Sequence, residues 1–194
     1  MVNTAVYYKQ FGFVHGDIQP RTVHLNEDDE IVLMDNILLF PRNRDSLYKV
    51  LNNNAYRGAL SPIQMQGFSL KMANVLHNKY ASEIWSIGLT ALAYAASGDV
   101  ADFYDWNTKE VRHQLILAEI YRLFTSGYSK TLTNLFKHLL ALDEKDRPSL
   151  AKISSCFVNQ KIAISLEKDQ PLSTIHIQAA ESKEVTPLTY LPSY

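Results

Sequence analysis

Residues 82–96 constrain the fold most, because a helix formed from them is apolar on nearly every side. Such a helix has no face to offer to water, so it belongs in the core with other elements packed around it. Residues 108–124 and 132–142 repeat apolar side chains at helical intervals, which predicts two helices that pack on this central one. The pattern indicates one mainly helical domain.

One small β-hairpin is predicted near the start of the chain. The apolar runs 23–25 and 31–34 are separated by the polar residues 26–30, a composition typical of two strands and a turn. Residues 2–10 precede them as the end of a helix that Gly12 terminates. The predicted fold class is therefore mainly α with one small β-hairpin.

The remaining segments predict a loop, a last helix and a tail. Residues 36–62 are rich in Asn and contain Pro, which is typical of a long loop. Ser149 follows a helix-breaking Pro and can cap a short helix that ends near residue 159. Residues 161–194 lose the helical periodicity, so we expect a domain over 1–160 and an extended C-terminal interaction tail over 161–194.

Composition limits the classes of partner. A chain of 194 residues with 46% hydrophobic content can bury one core, and a net charge of -1 provides no field that would attract nucleic acid. No apolar run approaches the roughly 20 residues of a membrane span. The single cysteine, Cys156, fits a reducing compartment and is predicted to be a small core residue. We expect an intracellular, cytoplasmic protein, with association to the cytoskeleton or another large assembly.

Several short motifs occur in a fixed order. Residues 14–23 (VHGDIQPRTV) come first, and residues 61–63 (SPI), 82–88 (SEIWSIG) and 146–148 (DRP) follow. They resemble the protein-kinase catalytic loop H-R-D-L-x-x-x-N, the A-P-E motif, the D-x-W-S-x-G helix start and the late D-R-P. Over residues 2–159 the chain therefore resembles the C-terminal lobe of a protein kinase, with no N-terminal lobe.

The resemblance implies roles for individual residues. Asp17 stands at the position of the catalytic base and Asp35 at that of the metal-binding aspartate; we expect Asp17 to bond the backbone amides of its own turn. His15 is expected to pack below the loop and bond a backbone carbonyl. Glu83 takes the place of an aspartate that accepts hydrogen bonds from the loop, so we expect it to brace residues 15–17. Two further residues are expected to be structural: Trp85 and Arg147.

The groups that handle phosphate are missing or changed. Phosphoryl transfer needs a Gly-rich loop, a lysine on the phosphates, two metal ligands and a base. The chain contains neither a Gly-rich loop nor the strand lysine. Thr22 replaces the metal-binding asparagine, and Gln19 replaces the loop lysine. We therefore expect no ATP binding, no cofactor and no metal.

Regulatory positions depart from the kinase pattern in the same way. Gly16 replaces the arginine that binds an activation-loop phosphate, and residues 36–37 (NI) replace Phe-Gly. Ile63 replaces the glutamate that usually pairs with the D-R-P arginine, so Arg147 must find another acceptor or remain solvated. His24 gives the adenine position a more polar side chain than kinases have. These changes predict a pseudokinase.

Three functional hypotheses follow. The first is a non-catalytic, pseudokinase-like subunit that binds other proteins within a multi-subunit assembly. The second is the C-lobe half of a split Ser/Thr kinase that recovers weak phosphotransfer through Asp17 and Asp35 when paired with an N-lobe. The third is a truncated product that has lost its N-lobe. In the tail, three residues are candidate partner-binding anchors unless that segment is disordered: Tyr190, Leu191 and Tyr194.

Aromatic side chains crowd the N-terminal end. They either form ordinary core or present a patch to another protein, and the sequence leaves both alternatives open. The residues are Tyr7, Tyr8, Phe11 and Phe13.

Overall fold

The computed structural model describes residues 1–28, 30–34, 57–72 and 75–156. All of them belong to one compact unit. The fold is mainly helical, as predicted, but it contains two small antiparallel hairpins rather than one. Several predicted features lie outside the described residues: Asp35, residues 36–37, most of the predicted loop, and the tail with Tyr190, Leu191 and Tyr194.

The first third of the fold follows the prediction. Helix α1 spans Val2–Gln10 and ends before Gly12, whose φ of 76° lies in the left-handed region that glycine adopts freely. A 3₁₀ turn at Pro20–Thr22 leads into strand β1, Val23–Leu25, which pairs antiparallel with β2, Ile31–Leu33. The predicted hairpin is confirmed.

Helix α2, Pro62–Ser69, begins where the predicted loop ends and was not expected from the sequence. Ser61 and Gln64 form a capping box in which each side chain bonds the backbone N–H of the other residue, and Pro62 occupies the first turn. Ser-Pro-x-Gln is a recognisable helix start. The sequence therefore contains a local signal for this helix, although Ser61 and Pro62 are also typical of a loop.

Helix α3, Lys79–Ala96, is the central element. It starts before the predicted residue 82 because the Asn78 side chain caps it, accepting hydrogen bonds from the N–H groups of Tyr80 (3.1 Å) and Ala81 (3.2 Å). Its core side chains are at most 3% exposed: Ile84, Trp85, Ile87, Leu89, Leu92 and Ala93.

The second hairpin contradicts the helix predicted from residue 108. Strands β3, Tyr104–Asp105, and β4, Glu110–Val111, flank a turn held by the Asp105 carboxylate, which accepts the N–H groups of Asn107 (2.9 Å) and Thr108 (3.1 Å). An aspartate side chain bonded to the backbone two residues on is typical of a turn. Val111 lies four residues before Leu115, a spacing that also fits a helix, and for this reason the predicted helix began too early.

Three helices complete the described fold. Helix α4 spans His113–Thr125, α5 spans Lys130–Leu139, and α6 includes residues 150–156. Ser149 caps α6 as predicted, accepting the N–H of Lys152 at 3.2 Å. Cys156 was expected in the core but is exposed, because it lies on the solvent side of α6. No helix among the described residues is long and apolar enough to cross a membrane.

Helices α3 and α5 approach closely at Gly88. A Cβ atom on Gly88 would lie 2.7 Å from the Leu139 Cβ and 3.2 Å from the Leu140 Cδ2. The Leu139 Cβ is attached directly to the backbone, so it cannot move aside without shifting α5. Glycine at this position sets the distance between the two helices.

We expect Gly88→Ala to lower the free energy of unfolding by about 1–2 kcal/mol. Overpacking costs about 1–3 kcal/mol, which exceeds the gain of about 1 kcal/mol from the better helix propensity of alanine. Urea denaturation measures the change. Gly98→Ala is the matched control, because a Cβ there meets nothing within 4 Å. Equal stability of Gly88→Ala and wild type would contradict the close approach.

Candidate functional site

The candidate site is the loop of residues 13–19, which the central helix holds through one carboxylate. The backbone N–H groups of His15 and Gly16 donate to the two oxygens of Glu83, at 2.7 and 3.0 Å. Glu83 is only 3% exposed. We expected Glu83 to brace residues 15–17, and the structure shows this contact at His15 and Gly16.

The backbone conformation at residue 16 favours glycine. Its φ is 71°, in the left-handed region that residues with a Cβ adopt at a cost. The kinase resemblance would place an arginine here. An arginine at this position would have to adopt a backbone conformation that suits glycine.

The Asp17 carboxylate is turned into the protein. Its side chain is 1% exposed, the Gln19 side-chain amide donates to Oδ1, and the Arg21 guanidinium lies 3.8 Å from the same oxygen. Two of the contacts of this carboxylate are therefore made to neighbouring side chains. The reason is local: Gln19 and Arg21 follow Asp17 closely enough to fold back on it.

The Thr22 hydroxyl closes the turn. It lies 2.6 Å from the carbonyl of Asp17 and 3.0 Å from that of Gln19, and it accepts the Gln19 N–H at 3.2 Å. Thr22 is 4% exposed. A hydroxyl has one hydrogen and two lone pairs, and Thr22 uses the hydrogen and one lone pair inside the turn.

His15 contacts the loop through its ring. Its Nδ1 accepts a hydrogen bond from the Asp17 N–H at 3.3 Å, so this nitrogen serves as an acceptor. The ring lies 6.0 Å from that of Tyr8, tilted by 41°. The half-buried imidazole therefore orders the backbone of the loop.

Trp85, two residues after Glu83 on α3, bonds a residue that the sequence did not reveal, Tyr104. Its indole Nε1 donates to the Tyr104 hydroxyl at 3.2 Å, and that hydroxyl donates to the Leu60 carbonyl at 2.6 Å. Burial raises the pKa of Tyr104 above its usual value. No local pattern marks Tyr104, because its partners come from distant parts of the chain.

Arg147 donates its hydrogen bonds to backbone carbonyls. The guanidinium is 5.1 Å from the centre of the Trp85 ring and donates to three backbone oxygens at 2.8–3.0 Å: those of Ala81, Ala141 and Leu142. Burial lowers the pKa of Arg147 to about 10. The arginine is therefore buried and has found other acceptors, and its bonds connect the start of α3 to the segment after α5.

A cavity of about 480 Å³ borders the loop on the side of Gly16 and Glu83. Ser82 contributes to its wall, and the Ser82 hydroxyl lies 2.8 Å from both the Ser61 hydroxyl and the His77 Nδ1. A serine beside an imidazole can become a nucleophile when it is accessible. Ser82 is only 4% exposed, so its hydroxyl serves to join three elements.

Among the described residues, no group of three or more His, Cys, Asp or Glu side chains could hold a metal ion. His24 lies on the exposed hairpin, with Nε2 3.1 Å from the Arg21 carbonyl.

No protein-family model and no curated protein matches this chain.

The N-terminal aromatic residues divide between the two alternatives left open. Tyr7 and Phe11 are 58% and 59% exposed and their rings are 5.1 Å apart, whereas Tyr8 and Phe13 are half-buried. The hairpin formed by β1 and β2 also exposes apolar side chains: Leu25, Ile31, Val32 and Met34.

Glu83→Gln should lower the free energy of unfolding by about 1.5–3 kcal/mol, since it removes the charge and one of the two acceptors that the loop amides use. Hydrogen exchange at residues 15 and 16 should accelerate. Urea denaturation and exchange mass spectrometry measure both effects. Glu119→Gln, which affects a partly exposed ion pair with Arg122, should cost about 0.5 kcal/mol or less. Unchanged exchange at residues 15–16 would rule out the brace.

Tyr104→Phe should cost about 1–3 kcal/mol near pH 7, because the Leu60 carbonyl and the Trp85 indole lose a buried partner. The difference from wild type should shrink above about pH 10. There Tyr104 ionises in the unfolded chain but not in the folded one, so wild-type stability falls by about 1.4 kcal/mol per pH unit. Urea denaturation from pH 7 to 11 tests this. Tyr121→Phe, an exposed change, should have little effect at pH 7; a constant Tyr104→Phe deficit would refute the raised pKa.

Proposed function

We propose that this chain is a non-catalytic, pseudokinase-like lobe that acts as a protein-interaction or structural subunit of an intracellular assembly. One observation carries the proposal. In the loop that resembles a kinase catalytic loop, Asp17, Gln19 and Thr22 bond one another and the backbone and are buried. The polar groups that would act on phosphate serve to close the loop.

The position of Asp17 supports the absence of phosphotransfer. A catalytic base has to come within about 3 Å of the substrate proton, or reach it through one water. The Asp17 side chain is 1% exposed and faces Gln19 and Arg21, so it can meet a substrate hydroxyl only after the turn rearranges. The buried Thr22 hydroxyl is likewise engaged with the carbonyls of residues 17 and 19.

The supporting contacts favour a kinase C-lobe-like scaffold. The central helix braces the loop through Glu83, and a β-hairpin follows the loop directly. Trp85 and Arg147, which come from two of the motifs that resemble kinase motifs, pack on each other in the core, with the guanidinium 5.1 Å from the centre of the indole ring. A chain that keeps these scaffold contacts while its loop is closed is better suited to binding than to catalysis.

The surface near the loop supports a binding role. Leu25, at 66% exposure, and Met34, at 54%, lie on the hairpin, and Phe11 is 59% exposed nearby in sequence. Single exposed apolar residues are ordinary, whereas a group of them marks interaction surfaces. The hairpin carries four of them within residues 25–34: Leu25, Ile31, Val32 and Met34.

Melting the protein with and without ATP and Mg²⁺ tests the proposal. We expect no change in Tm. A ligand present at 100 times its Kd would add about 2.7 kcal/mol, which is about 5–10 °C for a domain of this size. An active protein kinase measured in the same plate is the positive control, and ATP without Mg²⁺ is the matched condition.

The split-kinase alternative has its own arm. The full chain is mixed with the isolated N-lobe of an active kinase, and transfer of labelled phosphate to a generic Ser/Thr peptide is measured. We expect transfer no greater than with the N-lobe alone. Nucleotide-dependent stabilisation of the chain, or transfer that depends on it, would overturn the non-catalytic proposal.

A further inference from the structure

A groove of about 270 Å³ lies between α4 and α5, in a part of the chain that the catalytic-loop comparison does not involve. Ile120 is fully buried and forms its floor, while Tyr121 and Phe124 stand at its side with 68% and 49% exposure. Two large aromatic side chains this exposed beside a concave apolar floor are costly in water. The groove therefore has the apolar component of a docking site.

Two lysines give the groove its charge. Lys130 and Lys137 line it from α5, and neither forms an ion pair with a described carboxylate. On α4 the nearest charges, Glu119 and Arg122, neutralise each other at 2.7 Å. The groove is therefore positive.

Helix stability does not explain Lys130. It is the first residue of α5, directly after the capping Ser129. The helix dipole disfavours a cation at this end and favours a carboxylate. A lysine at this position is better explained by what it meets across the groove.

The spacing of the lysines selects the partner's secondary structure. They are seven residues apart on α5, which places them two turns, or about 10 Å, apart along the helix axis. Carboxylates at positions i and i+7 of a second helix have the same separation and lie on one face. In a strand, about 10 Å is three residues, and residues i and i+3 point to opposite faces.

We propose that the groove between α4 and α5 binds an acidic amphipathic helix of a partner protein. The apolar face of that helix covers Ile120, Tyr121 and Phe124, and two carboxylates two turns apart meet Lys130 and Lys137. Asn134, exposed between the lysines, offers an amide to the polar edge of the helix. This inference rests on the proposed interaction role and gives it a surface and a class of partner.

The test uses the full chain and a designed, fluorescein-labelled peptide of about 18 residues, long enough to form a helix. The peptide carries Leu at helical spacing on one face and Glu at two positions two turns apart beside it. Two matched peptides carry Gln or Lys in place of the two Glu residues. Fluorescence anisotropy measures their affinities at low and high salt.

We expect the Glu peptide to bind more tightly than the Gln peptide, and the preference to weaken as salt rises. The double variant Lys130→Glu/Lys137→Glu should lose affinity for the Glu peptide on the order of tenfold or more, because attraction becomes repulsion, and should bind the Lys peptide instead. Phe124→Ser should weaken all three peptides.

The control variant is Lys145→Glu/Lys152→Glu. It makes the same charge change at the same sequence spacing on exposed residues outside the groove, so it should bind like wild type. Circular dichroism of each variant checks the fold.

Equal binding of the Glu and Gln peptides, or equal loss in both double variants, would overturn the proposal, as would no binding of the Glu peptide or self-association through the groove. The ATP and phosphotransfer measurements do not involve this surface, so either proposal can fail while the other stands.

Discussion

The carboxylate of Glu83 is the contact on which the site depends, because it fixes the loop to the central helix. Two half-buried loop amides find their hydrogen-bond acceptors in its oxygens. The left-handed conformation of Gly16 turns the chain so that both amides can point at one carboxylate. Once this is in place, Asp17 faces inward, and its polar neighbours close over it.

Below this contact the core uses backbone carbonyls as acceptors. Arg147 donates to three backbone carbonyls and lies against Trp85. The Trp85 indole donates to the Tyr104 hydroxyl, which in turn donates to the Leu60 carbonyl. A buried cation without acceptors would cost several kcal/mol, so these bonds are obligatory. The same arrangement joins α3, the segment before α2 and the turn after α5. None of these residues lines the groove between α4 and α5, where exposed lysines and aromatic residues leave room for a partner.

Much of the fold could be predicted because its signals are local. The apolar pattern of α3, the hairpin at residues 23–34 and the cap at Ser149 each lie within a short stretch of sequence. The helix after Ser61 also had a local signal that composition obscured. The hairpin at residues 104–111 was missed because the side chain of Asp105 organises a turn inside a stretch whose apolar spacing also fits a helix.

The sequence by itself determined the residue types of the site: the acid on the central helix, the glycine in the loop, and the threonine and glutamine that follow it. Only the tertiary structure decided how they are used. The Thr22 hydroxyl bonds backbone carbonyls, Arg147 donates to carbonyls, and the Tyr104 hydroxyl donates to the Leu60 carbonyl in the core. The reason is that hydrogen-bond partners of buried groups come from residues far apart in the chain, and burial decides which of the possible partners must be used.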